Sequence, residues 1–135
     1  MLKEGCIHPQ IMAALALCGH GDRILIADGN YPLAQKTGTA EKVYLGLTAG
    51  QPEVTDVLAA LQSEISIEAA TVMDPGSGTD PEIFSEFAAM LPGVTLERLG
   101  RYAFYDACCD GTVRLAISTG EKRTYANLLI TVGVA

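Results

Sequence analysis

The sequence predicts an α/β fold, a three-layer sandwich with a mostly parallel sheet, helices on both faces and an antiparallel C-terminal strand pair. Three observations carry this. Short helical and strand patterns alternate along the whole chain, which is the signature of a sheet covered on both sides. Arg23 to Ala27 (RILIA) is a continuous apolar run flanked by turn residues, as expected of a strand buried on both faces. The last two strand patterns are separated by about nine residues, fewer than the dozen a helical crossover needs, so this pair is expected to be antiparallel.

Taken in order, Pro9 to Cys18 reads as a helix. Pro9 suits the first turn, Ile11, Met12, Leu15 and Leu17 are apolar, and Gly19 stops it. His8, just before Pro9, is expected to cap that helix. The strand Arg23 to Ala27 ends at Asp28, and Gly29 to Gly38 has loop composition. Val43 to Leu47 reads as a short strand. Pro52 to Leu61 reads as a helix with Val54, Val57, Leu58 and Leu61 on one face. Ile65 to Met73 begins with strand alternation and is broken by Asp74-Pro75-Gly76-Ser77-Gly78, a surface loop. Asp80 is expected to cap, and Pro81 to open, a helix carrying Ile83, Phe84, Phe87, Ala88 and Leu91. Val94 to Leu99 reads as a strand, Tyr102 to Cys109 as a helix ended by Gly111, and Val113 to Ser118 and Leu128 to Val134 as the closing strands.

No repeat, linker or low-complexity tract divides the 135 residues, so residues 1–135 are read as one domain. Apolar residues make up 49% and charged residues 19%, which excludes a disordered chain. No stretch approaches the ~18 apolar residues of a membrane span. Nine basic residues against 16 acidic ones give a net charge of −7. That balance disfavours nucleic acid, which needs a basic face, and points to a small neutral ligand. Met1-Leu2-Lys3-Glu4 has no features of a secretion signal, so a cytoplasmic protein is expected. Its four cysteines are then expected to be buried free thiols, and no metal-ligand spacing occurs among them.

The segment richest in chemistry is Gly19-His20-Gly21-Asp22, followed by the strand to Asp28 and Asn30-Tyr31-Pro32. Ligands in open α/β sheets gather beyond the carboxyl ends of strands. A histidine can give or take a proton near neutrality, and Asp28 could orient it or hold a ligand hydroxyl. The plain alternative is a turn histidine and a capping aspartate. A Gly-His-Gly phosphate cradle is weaker, because the G-x-G-x-x-G spacing is absent. Arg101-Tyr102-Ala103-Phe104-Tyr105 sets one cation among three aromatics, and Tyr125-Ala126-Asn127 supplies a phenol and an amide before the last strand. Such donors suit a polyhydroxylated ligand. Taken alone, each segment is better explained by a helix-start or turn role.

These segments in this order, with Thr119-Gly120-Glu121 and the closing Gly133-Val134, resemble the D-ribose pyranase and L-fucose mutarotase family over nearly the whole chain. The resemblance implies an enzyme without cofactor or metal that interconverts cyclic forms of a free monosaccharide. It implies that His20 is the proton donor and that Asp28, Tyr125, Ala126 and Asn127 bind sugar. Where this chain has Arg101, the ribose-type branch has histidine and the fucose-type branch arginine, so Arg101 implies a sugar-binding role and L-fucose as substrate. D-ribose pyranase activity is the alternative, and a non-catalytic sugar-binding accessory protein of monosaccharide uptake is the competing class. Two departures stand out: Gly29 replaces a usual alanine, and Cys108-Cys109-Asp110-Gly111 is slightly longer than its counterpart. The high apolar share leaves surface for subunit contacts. The resemblance implies a large homo-oligomer, and a decameric ring whose pocket borrows an aromatic from a neighbour is expected.

Overall fold

β1 (Arg23–Ala27) is the spine of the molecule. Ile24, Leu25, Ile26 and Ala27 have no exposed surface, and burying each large one contributes roughly 1.5–3 kcal/mol. In the computed structural model, which describes residues 1–135, nine further elements gather around it. They are α1 (Pro9–Leu17), β2 (Glu41–Tyr44), α2 (Val54–Gln62), β3 (Ile67–Met73), α3 (Ile83–Met90), β4 (Leu96–Leu99), α4 (Arg101–Cys108), β5 (Val113–Ser118) and β6 (Leu128–Val132). The strands form one sheet in the order β2-β5-β1-β6-β3-β4. All run parallel except β6, which is antiparallel to β1 and β3.

Side-chain alternation along the strands divides the core. Ile24, Ile26, Leu115, Ile117, Leu128 and Ile130 point to the face covered by α1, α2 and α3, where they meet Ile11, Leu15, Leu58 and Phe87. Leu25, Ala27, Ala116 and Leu129 point to the other face, covered by Phe104, Tyr105 and Cys108 of α4 and by Tyr31 and Leu33 of the loop after β1. The three layers are therefore unequal, and the thinner one carries the loop that reaches the carboxyl end of β1. No helix is long and apolar enough to cross a membrane.

Some local expectations shift. β5 and β6 do run in opposite directions, but β1 lies between them and is the strand β6 pairs with, through Ile24 opposite Ile130 and Ile26 opposite Leu128. β2 starts earlier than its apolar residues indicate, because it is an edge strand where Glu41 and Lys42 remain in contact with solvent. Its expected end, Gly46-Leu47, instead enters a turn in which the Leu47 N–H donates to Gln51. Asp80 does not cap α3. It pairs with the guanidinium of Arg98 through hydrogen bonds of 2.6 and 2.8 Å, and the helix begins later, after Glu82. His8 does cap α1, its Nδ1 accepting the Ile11 N–H at 3.3 Å. All four cysteines are free; Cys6 and Cys108 are buried as expected, whereas Cys18 is half-buried and Cys109 exposed.

Candidate active site

Asp28 follows the last residue of β1, and the antiparallel pairing with β6 sets it beside the segment that enters β6. Its own N–H donates to Asn127 Oδ1 at 2.8 Å. Its carboxylate accepts the Asn30 N–H on Oδ1 at 2.9 Å and the Ala126 N–H on Oδ2 at 3.2 Å. An ionised carboxylate has about four acceptor sites, so acceptor capacity remains for a ligand. Burial pushes the Asp28 carboxyl above the usual aspartate value, partly countered by the N–H groups of Asn30, Ala126 and Tyr31. Only 2% of the residue is exposed.

Tyr125 sits at φ 57°, the one non-glycine residue with positive φ. A bulky residue there costs on the order of 1–3 kcal/mol and persists only when its surroundings hold it. They do so here: the next two residues are both tied to Asp28, Ala126 by its N–H and Asn127 by its amide oxygen. Tyr125 is thereby set on the wall of a cavity with Asp28, Asn30, Arg101 and Asn127. Ala126 is fully buried and is not among the lining residues; its N–H donates to the Asp28 carboxylate.

Arg101 is the first residue of α4, after Gly100. Its Nε donates to the Tyr105 hydroxyl at 3.2 Å, and the guanidinium carbon lies 5.8 Å from the Tyr105 ring centre. Tyr105 meets Tyr31 edge-on at 5.4 Å, and both rings line the cavity, as do Met73 and Thr124. Aromatic rings sharing one cavity with a carboxylate, a guanidinium and an amide suit a ligand with one less polar face and several hydroxyls. The cavity thus has three tyrosines of its own. Tyr31 and Tyr105 were visible in the sequence motifs but carried no separate signal as site residues.

A brace beneath this site accounts for Thr119-Gly120-Glu121. The Thr119 hydroxyl donates to Ala27 O at 2.8 Å, and Glu121 O accepts the Gly29 N–H at 2.9 Å. Glu121 itself is 2% exposed and bonds Arg123 at 2.9 and 3.0 Å, while Arg123 also reaches Glu86 of α3. Burial acts to raise the Glu121 carboxyl, but Arg123 and the backbone N–H groups together outweigh it and hold it below the usual value. A Cβ on Gly29 would come within 3.1 Å of Glu121 O. An alanine at this position needs that carbonyl to give by only a few tenths of an ångström. At Gly120 a Cβ would overlap the carbonyls of Gln51 and Thr48, so only glycine fits.

His20 lies elsewhere. It projects from the Gly19–Asp22 turn at the start of β1, its side chain 58% exposed, with Nε2 2.9 and 3.0 Å from the two Glu68 oxygens. β1 separates it from Asp28 by roughly 13 Å or more at ~3.3 Å per residue. Asp28 therefore does not orient this imidazole within one chain; the carboxylate it meets is Glu68. Glu68 was missed because the sequence showed it only as an outward residue of an alternating strand. No group of three or more His, Cys, Asp or Glu residues is placed to hold a metal ion.

The model of the RbsD / FucU transport protein family matches residues 1–135. The D-ribose pyranase of Bacillus cytotoxicus is 30% identical over 136 residues, covering 99% of this chain and 98% of its own. That of Paracidovorax citrulli is 32% identical over 134 residues, with 99% and 98% covered. Bacillus subtilis RbsD complexed with D-ribose superposes with a TM-score of 0.87 at 27% identity over 100% of this chain and 99% of its own. The fucose mutarotase of Streptococcus pneumoniae in complex with L-fucose gives 0.77 at 26% identity over 96% and 94%. A match along its full length, with relatives covered nearly end to end, shows that the chain belongs to the RbsD / FucU family.

Proposed function

We propose that this protein is a carbohydrate isomerase, a mutarotase that interconverts the cyclic forms of a free monosaccharide, with L-fucose as the preferred sugar. The observation that carries the reading is the cavity at the carboxyl end of β1, where an anchored carboxylate, a guanidinium, an amide and a phenol converge. Arg101 on its wall supports fucose. The D-ribose pyranase reading is supported by the names of the curated relatives, and by the ribose complex of a structural neighbour.

Mutarotation breaks the bond between C1 and the ring oxygen. A base takes the proton of the anomeric hydroxyl as the C1 carbonyl forms, and an acid protonates the ring oxygen. Rotation about C1–C2 and the reverse steps give the other form. General acid–base catalysis contributes typically ~10²–10⁴-fold, enough for a reaction that water already allows. Asp28, Arg101, Tyr125 and Asn127 hold the hydroxyls, and His20 is the acid.

Because His20 and Asp28 stand at opposite ends of β1, the imidazole that serves one cavity comes from a neighbouring copy. Exposed apolar residues flank both ends: Leu17 and Val134 near His20, Tyr102 and Leu47 near the cavity. A head-to-tail contact of unlike surfaces forms a ring when the rotation between copies closes, and the decameric ring expected from the resemblance is such an assembly. The neighbour then lends a histidine as well as the aromatic expected of it.

Saturation-transfer NMR on L-fucose and D-ribose tests the reading. The expected result is anomer exchange above the buffer rate, faster for fucose, with Arg101→His lowering exchange on fucose more than on ribose. Binding with exchange at the buffer rate would identify a sugar-binding accessory protein instead. Faster exchange on ribose would make the protein a ribose pyranase.

A further inference from the structure

Glu68 is placed by a defect in the sheet. The register between β3 and β6 shifts between Ile67 and Ala69, so Glu68 is the bulged residue of an otherwise regular pairing. Bulges re-aim side chains and recur beside functional sites. Gly133 makes the room: a Cβ there would lie 3.2 Å from Glu68 Cβ and 3.6 Å from its Oε2, and the Gly133 N–H donates to Ser66 O at 2.8 Å. The turn carrying His20 is fixed to the same stretch of chain. Gly21 donates to Val132 O at 2.9 Å, Val132 donates to Asp22 O at 2.8 Å, and the Asp22 carboxylate accepts the Gly19 N–H at 2.8 Å. Both partners thus hang from the end of β6.

Other acidic groups nearby are engaged otherwise or bound to the chain end. Glu64 accepts the Cys6 N–H at 2.7 Å, Asp22 closes its own turn, and the terminal residue Ala135 lines the same groove as His20. Glu68 is the acid whose two oxygens meet the ring nitrogen.

We propose that Glu68 is the positioning residue for His20: the carboxylate on the β3 bulge holds the imidazole as its Nε2–H tautomer and leaves Nδ1 to exchange the proton with the sugar. The inference rests on the reading of His20 as the acid. In the step, Nδ1–H of the imidazolium passes its proton to the ring oxygen as the C1–oxygen bond breaks. The ring returns to the neutral Nε2–H form, still hydrogen-bonded to Glu68. Beyond orienting the ring, the carboxylate offsets the charge of the imidazolium, as the acidic member of a hydrolytic triad does. The family resemblance gave no role to this residue; the bulge and the glycine behind it do.

The test combines ¹⁵N NMR of ring-labelled histidine in alkaline buffer with anomer-exchange rates on the assembled protein. The wild type is expected to carry its proton on Nε2 of His20. Glu68→Ala should show mixed tautomers and exchange reduced about 10- to 100-fold, with sugar affinity unchanged. Glu68→Gln, which retains an acceptor, should recover the tautomer and part of the rate. A wild-type Nδ1–H tautomer, or an Ala variant that exchanges at the wild-type rate, overturns the proposal. A His20→Ala control separates the two possible failures: if it too exchanges normally, the reading of His20 as donor falls, and this proposal with it.

Discussion

The two ends of β1 solve the problem of holding a charged group in opposite ways. At the carboxyl end, Asp28 is buried and its carboxylate is tied by main-chain N–H groups of Asn30 and Ala126. At the amino end, His20 is exposed and tied by a single side chain, Glu68. The buried carboxylate is rigid and its surroundings are fixed before any ligand arrives, which suits binding. The exposed imidazole can be presented to another molecule, which suits proton transfer across a subunit boundary. On the proposed reading, one strand carries two half-sites facing away from each other.

The largest expected effect of breaking this contrast is at the buried end. On the proposed reading, Asp28→Ala removes charged hydrogen bonds to sugar, each contributing roughly 1.5–3 kcal/mol, so affinity measured by calorimetry should fall at least about tenfold. It also leaves the buried Ala126 N–H without its acceptor, at a cost of about 1–3 kcal/mol in unfolding free energy. His20→Ala should leave both quantities near wild type. Because burial raises the Asp28 carboxyl, sugar binding should fail on acidification at a higher pH than an exposed aspartate would dictate. Binding that persists down to the ordinary value of 3.8 would contradict the burial argument.

Glu121 supplies the opposite sign. Its carboxyl is held below the usual 4.5, so its contribution to stability is fully present above that value and is lost as pH falls through its depressed folded value. Glu121→Gln should cost about 2–3 kcal/mol at neutral pH. It should also flatten the acid limb of a denaturation series. An unchanged acid limb would remove Glu121 from the account.

The smallest effect concerns Arg101. Tyr105→Phe removes one hydrogen bond, about 0.5–1.5 kcal/mol, and frees the guanidinium to move. Sugar affinity should drop a few-fold while exchange at saturation is unaffected. A loss of exchange at saturation would mean that the Tyr105 hydroxyl takes part in the chemistry.

Much of the proposed binding half was legible in the sequence, because Asp28 ends an apolar run and Tyr125-Ala126-Asn127 precedes the strand that pairs with it. Local patterns report local neighbours. They showed the strand before Asp28 and the one after Asn127, and the antiparallel pairing brings the two together. The proposed catalytic half was harder to place. His20 and Asp28 are near in sequence, yet an extended strand drives their side chains apart. Glu68 depends on a register shift against β6 and on a glycine far along the chain, neither of which leaves a periodic trace. The insertion of β1 between β5 and β6 was hidden for the same reason, and the Asp80–Arg98 pair replaced a helix cap that local residue preferences favoured.

The central claim is that binding and proton transfer in one working site come from different copies of the chain. Co-expression of His20→Ala and Asp28→Ala chains tests it directly, with anomer exchange measured on the mixed assembly. With sugar well below saturation, each variant alone should lose most of its exchange. Random mixing should pair an intact cavity with an intact histidine at about a quarter of the boundaries, restoring that share of wild-type exchange. Mixed assemblies no more active than the separate variants would contradict the shared site.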